Sequence, residues 1–479
     1  MLAKKFECCQ NKITMFRTRS KPGYVGSSNF IYLRKGFDIK IKGAPVKQLF
    51  DFKVENFAVQ PGNYRGVVPI PKVVVRVGEK VKAGDLLFYD KKRPYWKFVA
   101  PVSGEITAIN RGARRSIKEI VIHADDSIIY KDIKAPDVDA VNREELVDFL
   151  MESGVWPLIR SRPYDLVPEK DEIPKNIFIS TFDTAPLAPD MDFVVKGKED
   201  IFAKGLEVLK KLTGGKVYLG LNANKKEPPG IAFRKAQGVV KTYFKGPHPS
   251  GNVGVHIHHL APIRGDDKVW VLGVQEVISI GNLFVNNIYD AERVIAVTGE
   301  DVIGPKYLKT YLGADVAETV RVCVKDVKCR VISGNVLTGE TKEYGEFINA
   351  FDYQVTIIPE GKYFEPFGWL IPSKPRPTFS RTFLSRWINP NKVYNVDTNM
   401  HGQKRAFVAT GIYEQVLPMD IYPVHLMKAI LAGDIEKMEG LGIKEVAEED
   451  LALCEFICPS KQEFQAILRD GHRMMIEQE

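Results

Sequence analysis

The sequence predicts an α/β protein of several domains, on three observations. Its 479 residues exceed the roughly 250 to 300 at which a single hydrophobic core stops growing. Short strand-like runs separated by Gly and Pro fill the first third, and strands alternating with amphipathic helices follow. The chain then closes on helical text. Hydrophobic residues at 44% and charged residues at 27% are ordinary globular values, which disfavours a disordered, collagenous or coiled-coil chain.

Charge narrows the partners. Lys and Arg total 68 against 60 acids, a net +8, and residues 1–29 supply +5 of it through six cations against Glu7. The remainder is nearly neutral, so nucleic acid, which needs a basic face, is not expected as a partner. No run reaches the roughly 18 to 20 apolar residues of a spanning helix; the best, 269–274 and 277–285, are interrupted by Gly, Ser or Asn. The amino terminus lacks a secretory h-region and cleavage site. Six unevenly placed cysteines point to a reducing compartment rather than a disulfide framework.

Residues 1–29 read as a flexible basic arm, with Met15 an alternative start and the Cys8–Cys9 pair lacking the neighbours that would complete a metal site. Residues 30–137 read as an all-β module: IYLRKGFDIKI, KVVVRVGEKVKAGDLLFYD, KFVAPVSGEITAIN and SIKEIVIHA are its strands. Gly78 and Gly84 suit turns needing positive φ, and Val77, Val81 and Leu86 are expected inside. The pattern of residues 75–87 followed by Ala100–Pro101–Val102–Ser103–Gly104 resembles the biotinyl/lipoyl-type barrel-sandwich hybrid. In carrier members of that family a hairpin-tip lysine takes the prosthetic arm. Here Lys91, Lys92 and Lys97 lie in DKKRPYWKF, which matches neither the lipoyl nor the biotinyl setting. An unmodified docking module is expected, and a non-enzymatic carrier or adaptor is the alternative.

Residues 138–284 read as a Rossmann-like domain. A helix over 142–153 opens it, with Asn142 as N-cap, Glu145 completing a capping box and Gly154 as the stop. A buried strand over 176–182, an amphipathic helix over 199–212 carrying Phe202, Leu206 and Leu209, and a strand over 216–221 make a βαβ unit. No phosphate-binding glycine loop accompanies it, so no nucleotide is expected from the fold alone. Between helix and strand, Trp156, Arg160, Arg162 and Tyr164 could wall a pocket, because guanidinium is a fixed multidentate donor; the competing reading pairs the arginines with Asp165 and Glu169. Four of the eight histidines fall within residues 248–259. On a strand His256 and His258 would share a face and could bind a metal, but structural histidines are favoured, since no third ligand is spaced to join them.

Residues 285–375 read as a compact β-grasp, SLBB-like unit, with a strand over 293–298, a helix near 306–312 and strands over 330–337 and 354–358. Pro359, Pro366, Pro372, Pro375 and Pro377 mark the passage to the C-terminal domain, 376–479, which ends helically. There 423–431 is stopped by Gly433, and Ser460 with Glu463 suggests a capping box before Phe464. Cys454 and Cys458 look like the tail of a bacterial ferredoxin run, yet positions 448 and 451 are Glu and Leu, so no iron–sulfur cluster is expected from this chain.

Taken together, RKGFDIKIKGAP, APVSGEITAINRGARR, WPLIRSRPYD, FDTAPLAP, GPHPSGNVGVHIH, RVISGNVLTG, FGWLIP and EEDLALCEFICPSKQEFQAILRD resemble the NqrA family, the A-type subunits of the sodium-translocating NADH:quinone oxidoreductases (Na⁺-NQR), over residues 32–479. The resemblance implies a peripheral subunit on the cytoplasmic face of the bacterial inner membrane, within a six-subunit complex that includes integral membrane subunits. That complex passes electrons from NADH to ubiquinone or menaquinone and exports Na⁺. It further implies that NAD, flavins and iron centres belong to partner subunits, with no cofactor bound by this chain, which is associated with quinone reduction and is not expected to be active alone. Trp156, Arg160, Arg162 and Tyr164 are the expected quinone-proximal or docking residues, an aromatic surface with donors for quinone carbonyls.

Overall fold

The computed structural model describes residues 21–321, 323–324, 328–361, 363, 377–379, 391–408 and 410–478. Cys8, Cys9, Met15, Pro366, Pro372, Pro375 and the FGWLIP run lie outside them.

At the centre is a six-stranded, mostly parallel sheet. Asn176–Ser180 pairs in parallel with Lys216–Asn222 on one side and Val269–Leu272 on the other, and Val240–Lys245 continues beyond Lys216–Asn222. The first of these reads Asn-Ile-Phe-Ile-Ser, the continuous apolar run of a strand covered on both faces. Helix Glu199–Leu212 forms with the predicted bounds and buries Phe202, Leu206 and Leu209. Helix Arg143–Glu152 is closed by the Asn142–Glu145 capping box. Because the strand order reverses at Asn176–Ser180, a crevice opens beyond the carboxyl ends of that strand and Val269–Leu272, the topological switch point of an open α/β sheet.

The barrel stacks two antiparallel sheets, one built on Gly104–Arg111 and Ile117–Ala124, the other on Leu86–Tyr89 and Lys97–Val99. Gly78 and Gly84 take the positive φ their turns require. Of the three residues expected inside, Val81 is buried, Leu86 is half-buried and Val77 is 61% exposed at the turn; Val75, Leu87 and Phe88 complete the interior. A β-grasp-like mixed sheet is third, and its hairpin corrects a predicted helix. Lys306–Tyr311 is a strand antiparallel to Glu292–Thr298, with Tyr307 buried on one face and Leu308 and Thr310 on the other, because pairing with a distant strand, which local propensity does not see, decides its form. Four helices, Pro423–Ala432, Ile435–Gly440, Glu448–Ile457 and Phe464–Gln478, close the chain.

The text IYLRKGFDIKI, expected as a barrel strand, goes elsewhere. Asn29–Tyr32 adds a parallel edge strand to Val240–Lys245 of the α/β sheet. Leu33, Phe37, Ile39 and Ile41 enter the core of the C-terminal helices, and the following strand Val46–Asp51 edges the β-grasp sheet. Period-two alternation identifies extended chain but not the sheet it joins, which non-local pairing decides. The Ser460 cap is a second correction. The amide of Gln465 donates instead to Glu455 Oε2 of the preceding helix at 3.0 Å, so a neighbouring carboxylate satisfies the new helix's first turn.

Candidate functional site at the switch point

A cavity of about 900 Å³ lies at the switch-point crevice, and all four domains contribute to its wall. The α/β domain supplies Arg160, Tyr164, Asp183 and His248, the barrel Arg65, the β-grasp unit Phe351 and Asp352, and the C-terminal helices Glu448, Arg469 and His472. Asp183 follows strand Asn176–Ser180, so the parallel sheet presents it at the carboxyl edge where α/β folds place ligands.

The four predicted residues divide into two pairs. Arg160 and Tyr164 line the cavity. The Arg160 guanidinium stands 5.2 Å from the centre of the Phe351 ring and 3.8 Å from Asp165. Tyr164 holds a positive φ of 78° and meets the His472 ring edge-on at 5.3 Å. Trp156 and Arg162 lie behind this wall. Trp156 is fully buried, its N–H donating to the Pro168 carbonyl at 2.8 Å and its ring edge-on to Trp270. Arg162 is clamped between Asp165 at 2.8 Å and Glu449 at 2.9 Å. Burial opposes charge on Asp165, but Arg162, Arg160 and Arg65 bring its carboxyl below the usual range. Asp165 is thus the expected acid partner; Glu169 instead takes Arg93 and the Tyr95 hydroxyl.

The first turn of helix Glu448–Ile457 ties the domains together through three consecutive acids. Glu448 bridges Arg65 and Arg469, and Glu449 receives Arg162. Asp450 faces the N-terminal turn of helix Val253–Leu260, where Asn252 Nδ2 lies 3.5 Å from its Oδ1. A Cβ on Gly254 would fall 2.2 Å from Asp450 Oδ2, so this approach requires glycine. Burial, with Glu449 alongside, raises the Asp450 carboxyl. At the other helix entering the crevice, Val274–Val285, the buried Glu276 folds back toward Gly273 and accepts from the Tyr353 hydroxyl. Both helix N-termini, each a seat for an anion, therefore face carboxylates of the chain itself.

His256, His258 and His259 lie on helix Val253–Leu260, contrary to the strand considered for them, and His248 lies in the turn before it. Residues two apart on a helix diverge, so His256 and His258 do not converge on one point. His256 is stacked 3.9 Å from Phe244 with Nε2 2.9 Å from the Ser250 carbonyl, and burial pushes its pKa down to about 4. His258 accepts from the Asp420 amide and faces Glu445 at 3.3 Å. Among the described residues no three His, Cys, Asp or Glu side chains are grouped to hold a metal ion. Cys454 and Cys458 are buried around Tyr413, whose hydroxyl lies 3.1 Å from Cys458 Sγ, while Leu451 is core and Glu448 is in the arginine bridge. On the barrel hairpin Lys97 pairs with Glu152, and Lys91 and Lys92 are exposed beside a turn pinned by Asp90 and the buried Trp96.

Sequence reasoning missed Asp183, Asp352 and the Glu448–Asp450 triplet, and marked His248 only as part of the histidine-rich run. The switch-point rule could have found Asp183, since it follows the first strand of the βαβ unit. No local signal marks Asp352 or the triplet, which arrive from the β-grasp unit and the C-terminal helices.

Three family models match the chain. Residues 31–125 match the family described as the NqrA N-terminal barrel-sandwich hybrid domain, 141–288 the NqrA second alpha/beta domain, and 294–343 the NQRA C-terminal domain. The A-type subunit of the Na⁺-translocating NADH-quinone reductase of Yersinia pseudotuberculosis is 39% identical over 447 residues, 92% of this chain and 98% of that protein. Proteins of the same name from Hahella chejuensis and Saccharophagus degradans are 39% and 38% identical, at the same coverages. A solved NAD⁺-reducing [NiFe]-hydrogenase is 13% identical with a TM-score of 0.38, covering 73% of this chain and 67% of that one, too distant to support an argument. With the three family domains in order and relatives matched almost end to end, the chain belongs to the NqrA family, the A-type subunits of the Na⁺-translocating NADH-quinone reductases.

Proposed function

We propose that this protein is peripheral, sits on the cytoplasmic face of the membrane and serves the quinone-reduction step of its complex without carrying a redox group. It works with the other members of a six-subunit assembly, to which the flavins, iron centres and NADH chemistry belong. The observation that carries this reading is the self-filled crevice: where an α/β fold would seat a nucleotide's phosphates, Asp450 and Glu276 already face the helix N-termini. A further anion there would find both seats already taken by side-chain oxygens of the chain itself. The absence of any described helix long and apolar enough to cross a membrane supports a peripheral place. What the crevice keeps is a polar wall of Arg160 and Tyr164 beside Phe351, donors and an aromatic face suited to a quinone headgroup.

Arg160→Ala in the assembled complex tests the quinone-proximal role. The expected outcome is a quinone reductase rate lower by about tenfold, the effect of losing one charged hydrogen bond in the transition state. An unchanged rate together with unchanged inhibitor binding would remove Arg160 from the quinone's surroundings.

A further inference from the structure

One hairpin tip of the barrel breaks a turn rule that Gly78 and Gly84 obey in the same domain. Strands Gly104–Arg111 and Ile117–Ala124 are joined through residues 112–116, where the Ser116 amide donates to the Ala113 carbonyl at 3.1 Å. Between them Arg114 holds φ 53° and ψ 29°, and Arg115 holds φ 64°. Two consecutive left-handed residues closed by that bond are the central pair of a type I′ turn, a place that Asn-Gly fills without strain and arginine does not. Nothing inside the chain rewards the arginines. Arg111, Arg114 and Arg115 are exposed, and none has an ion pair among the described residues. Residues 106–118 contain no acid, and the next one, Glu119, is buried and held by Asn110 and Gln60. The Ile117 amide donates to the Pro69 carbonyl at 3.0 Å, which brings Ile70, 40% exposed, beside the tip.

We propose that this end of the barrel is a membrane-contact surface, with the arginine tip binding the phosphates of an anionic lipid bilayer and Ile70 settling at the headgroup boundary. The proposal rests on the reading that the chain is peripheral to a membrane. Strain points to function here, because a locally unfavourable residue with no internal partner is kept for an external one. Charge complementarity selects the occupant. Three unpaired guanidinium groups with no acid among them suit phosphate, which each can grip through two parallel N–H donors. The exposed isoleucine beside them favours a bilayer over an acidic protein face, since interfacial contacts set cations at the headgroups and apolar side chains just beneath. Each arginine near an anionic bilayer strengthens binding by about fivefold. The tip therefore supplies a reversible contact that orients the chain, while its firmer attachment comes from its partners.

Co-sedimentation of the full purified chain with vesicles reads this directly, comparing mixed phosphatidylglycerol–phosphatidylcholine vesicles with phosphatidylcholine alone. The native chain should bind the anionic vesicles in a salt-sensitive manner and leave the neutral ones unbound. Arg114→Asn with Arg115→Gly gives the tip the pair its turn prefers. It should weaken binding by about 25-fold, fivefold for each cation lost, while Tm stays level or rises. Arg111→Gln should weaken binding by about fivefold. Lys226→Gln with Lys235→Gln, two exposed cations of the α/β domain, should leave it near the native value. Native affinity in the double arginine variant overturns the proposal, and so does an equal loss in the lysine control, which would make net charge the whole cause. A lowered Tm in the double arginine variant defeats the strain argument, and Arg111→Gln then decides: native affinity there overturns the contact. Loss of co-purification with the membrane subunits by the arginine variant, with vesicle binding intact, also overturns it and gives the tip to a protein surface. A native chain that co-purifies with the membrane but ignores anionic vesicles loses only this inference, whereas one that never co-purifies loses the reading beneath it.

Discussion

Two regions of this chain have the outline of a cofactor site, and each is filled from within by different means. The switch-point crevice is filled with charge: Glu448, Glu449 and Asp450 reach Arg65, Arg162, Arg469 and the Val253–Leu260 helix, leaving a polar cavity beside them. The helix bundle around Cys454 and Cys458 is filled with apolar bulk, Leu451, Leu453, Phe464 and Tyr413, and is closed. An ionic filling keeps geometry and leaves room, because each carboxylate must point at a partner. An apolar filling is dense and leaves nothing to bind. The first region can therefore still recognise a guest, while the second contributes stability alone.

Four experiments sharpen that contrast. Arg162→Ala should have the largest effect, since it strands Asp165 and Glu449 partly buried; we expect about 4 kcal/mol lost in denaturant unfolding. Leu451→Ala should cost about 3 kcal/mol through its cavity, with the ion-paired crevice unaffected. A similar loss from Arg160→Ala would break the distinction drawn between the two arginines. That change touches only a partly exposed guanidinium and should move stability by no more than about 0.5 kcal/mol, its effect falling on quinone reduction.

Acid titration sits between these in size. His248, His256 and His472 have pKa values lowered to about 4 by burial from the ordinary 6.5. The unfolded chain therefore takes up protons first as pH falls below 6.5, and the stability these neutral rings contribute declines progressively towards pH 4. Each is linked to roughly 3 kcal/mol across that window. Asp352, raised to about 6, works in the opposite sense. Subtracting the profile of His256→Gln from that of the native chain isolates one histidine; a flat difference between pH 6.5 and 4 would contradict its burial in the neutral form.

Much of the fold was legible because its signals are local. The Asn142–Glu145 cap, the Glu199–Leu212 helix and the glycine turns at Gly78 and Gly84 are written in consecutive residues. Residues 29–51 were misplaced because one stretch serves two sheets and a helical core, and Lys306–Tyr311 because its strand partner overrides its own propensity. The site was half legible. An aromatic–arginine run marked Arg160 and Tyr164, but alternation along three strand residues could not say that Arg162 would be claimed by an acid 287 positions away. Asp183, Asp352 and Glu448–Asp450 converge only once three domains have assembled.

The central claim, that this protein holds no redox group and gains its activity from its partners, is tested most directly on the purified full-length chain. Its NADH oxidation is measured together with any chromophore released on denaturation. The account predicts no NADH turnover and no released flavin or nicotinamide; steady NADH oxidation by the chain alone, or stoichiometric flavin in the denatured supernatant, would contradict it.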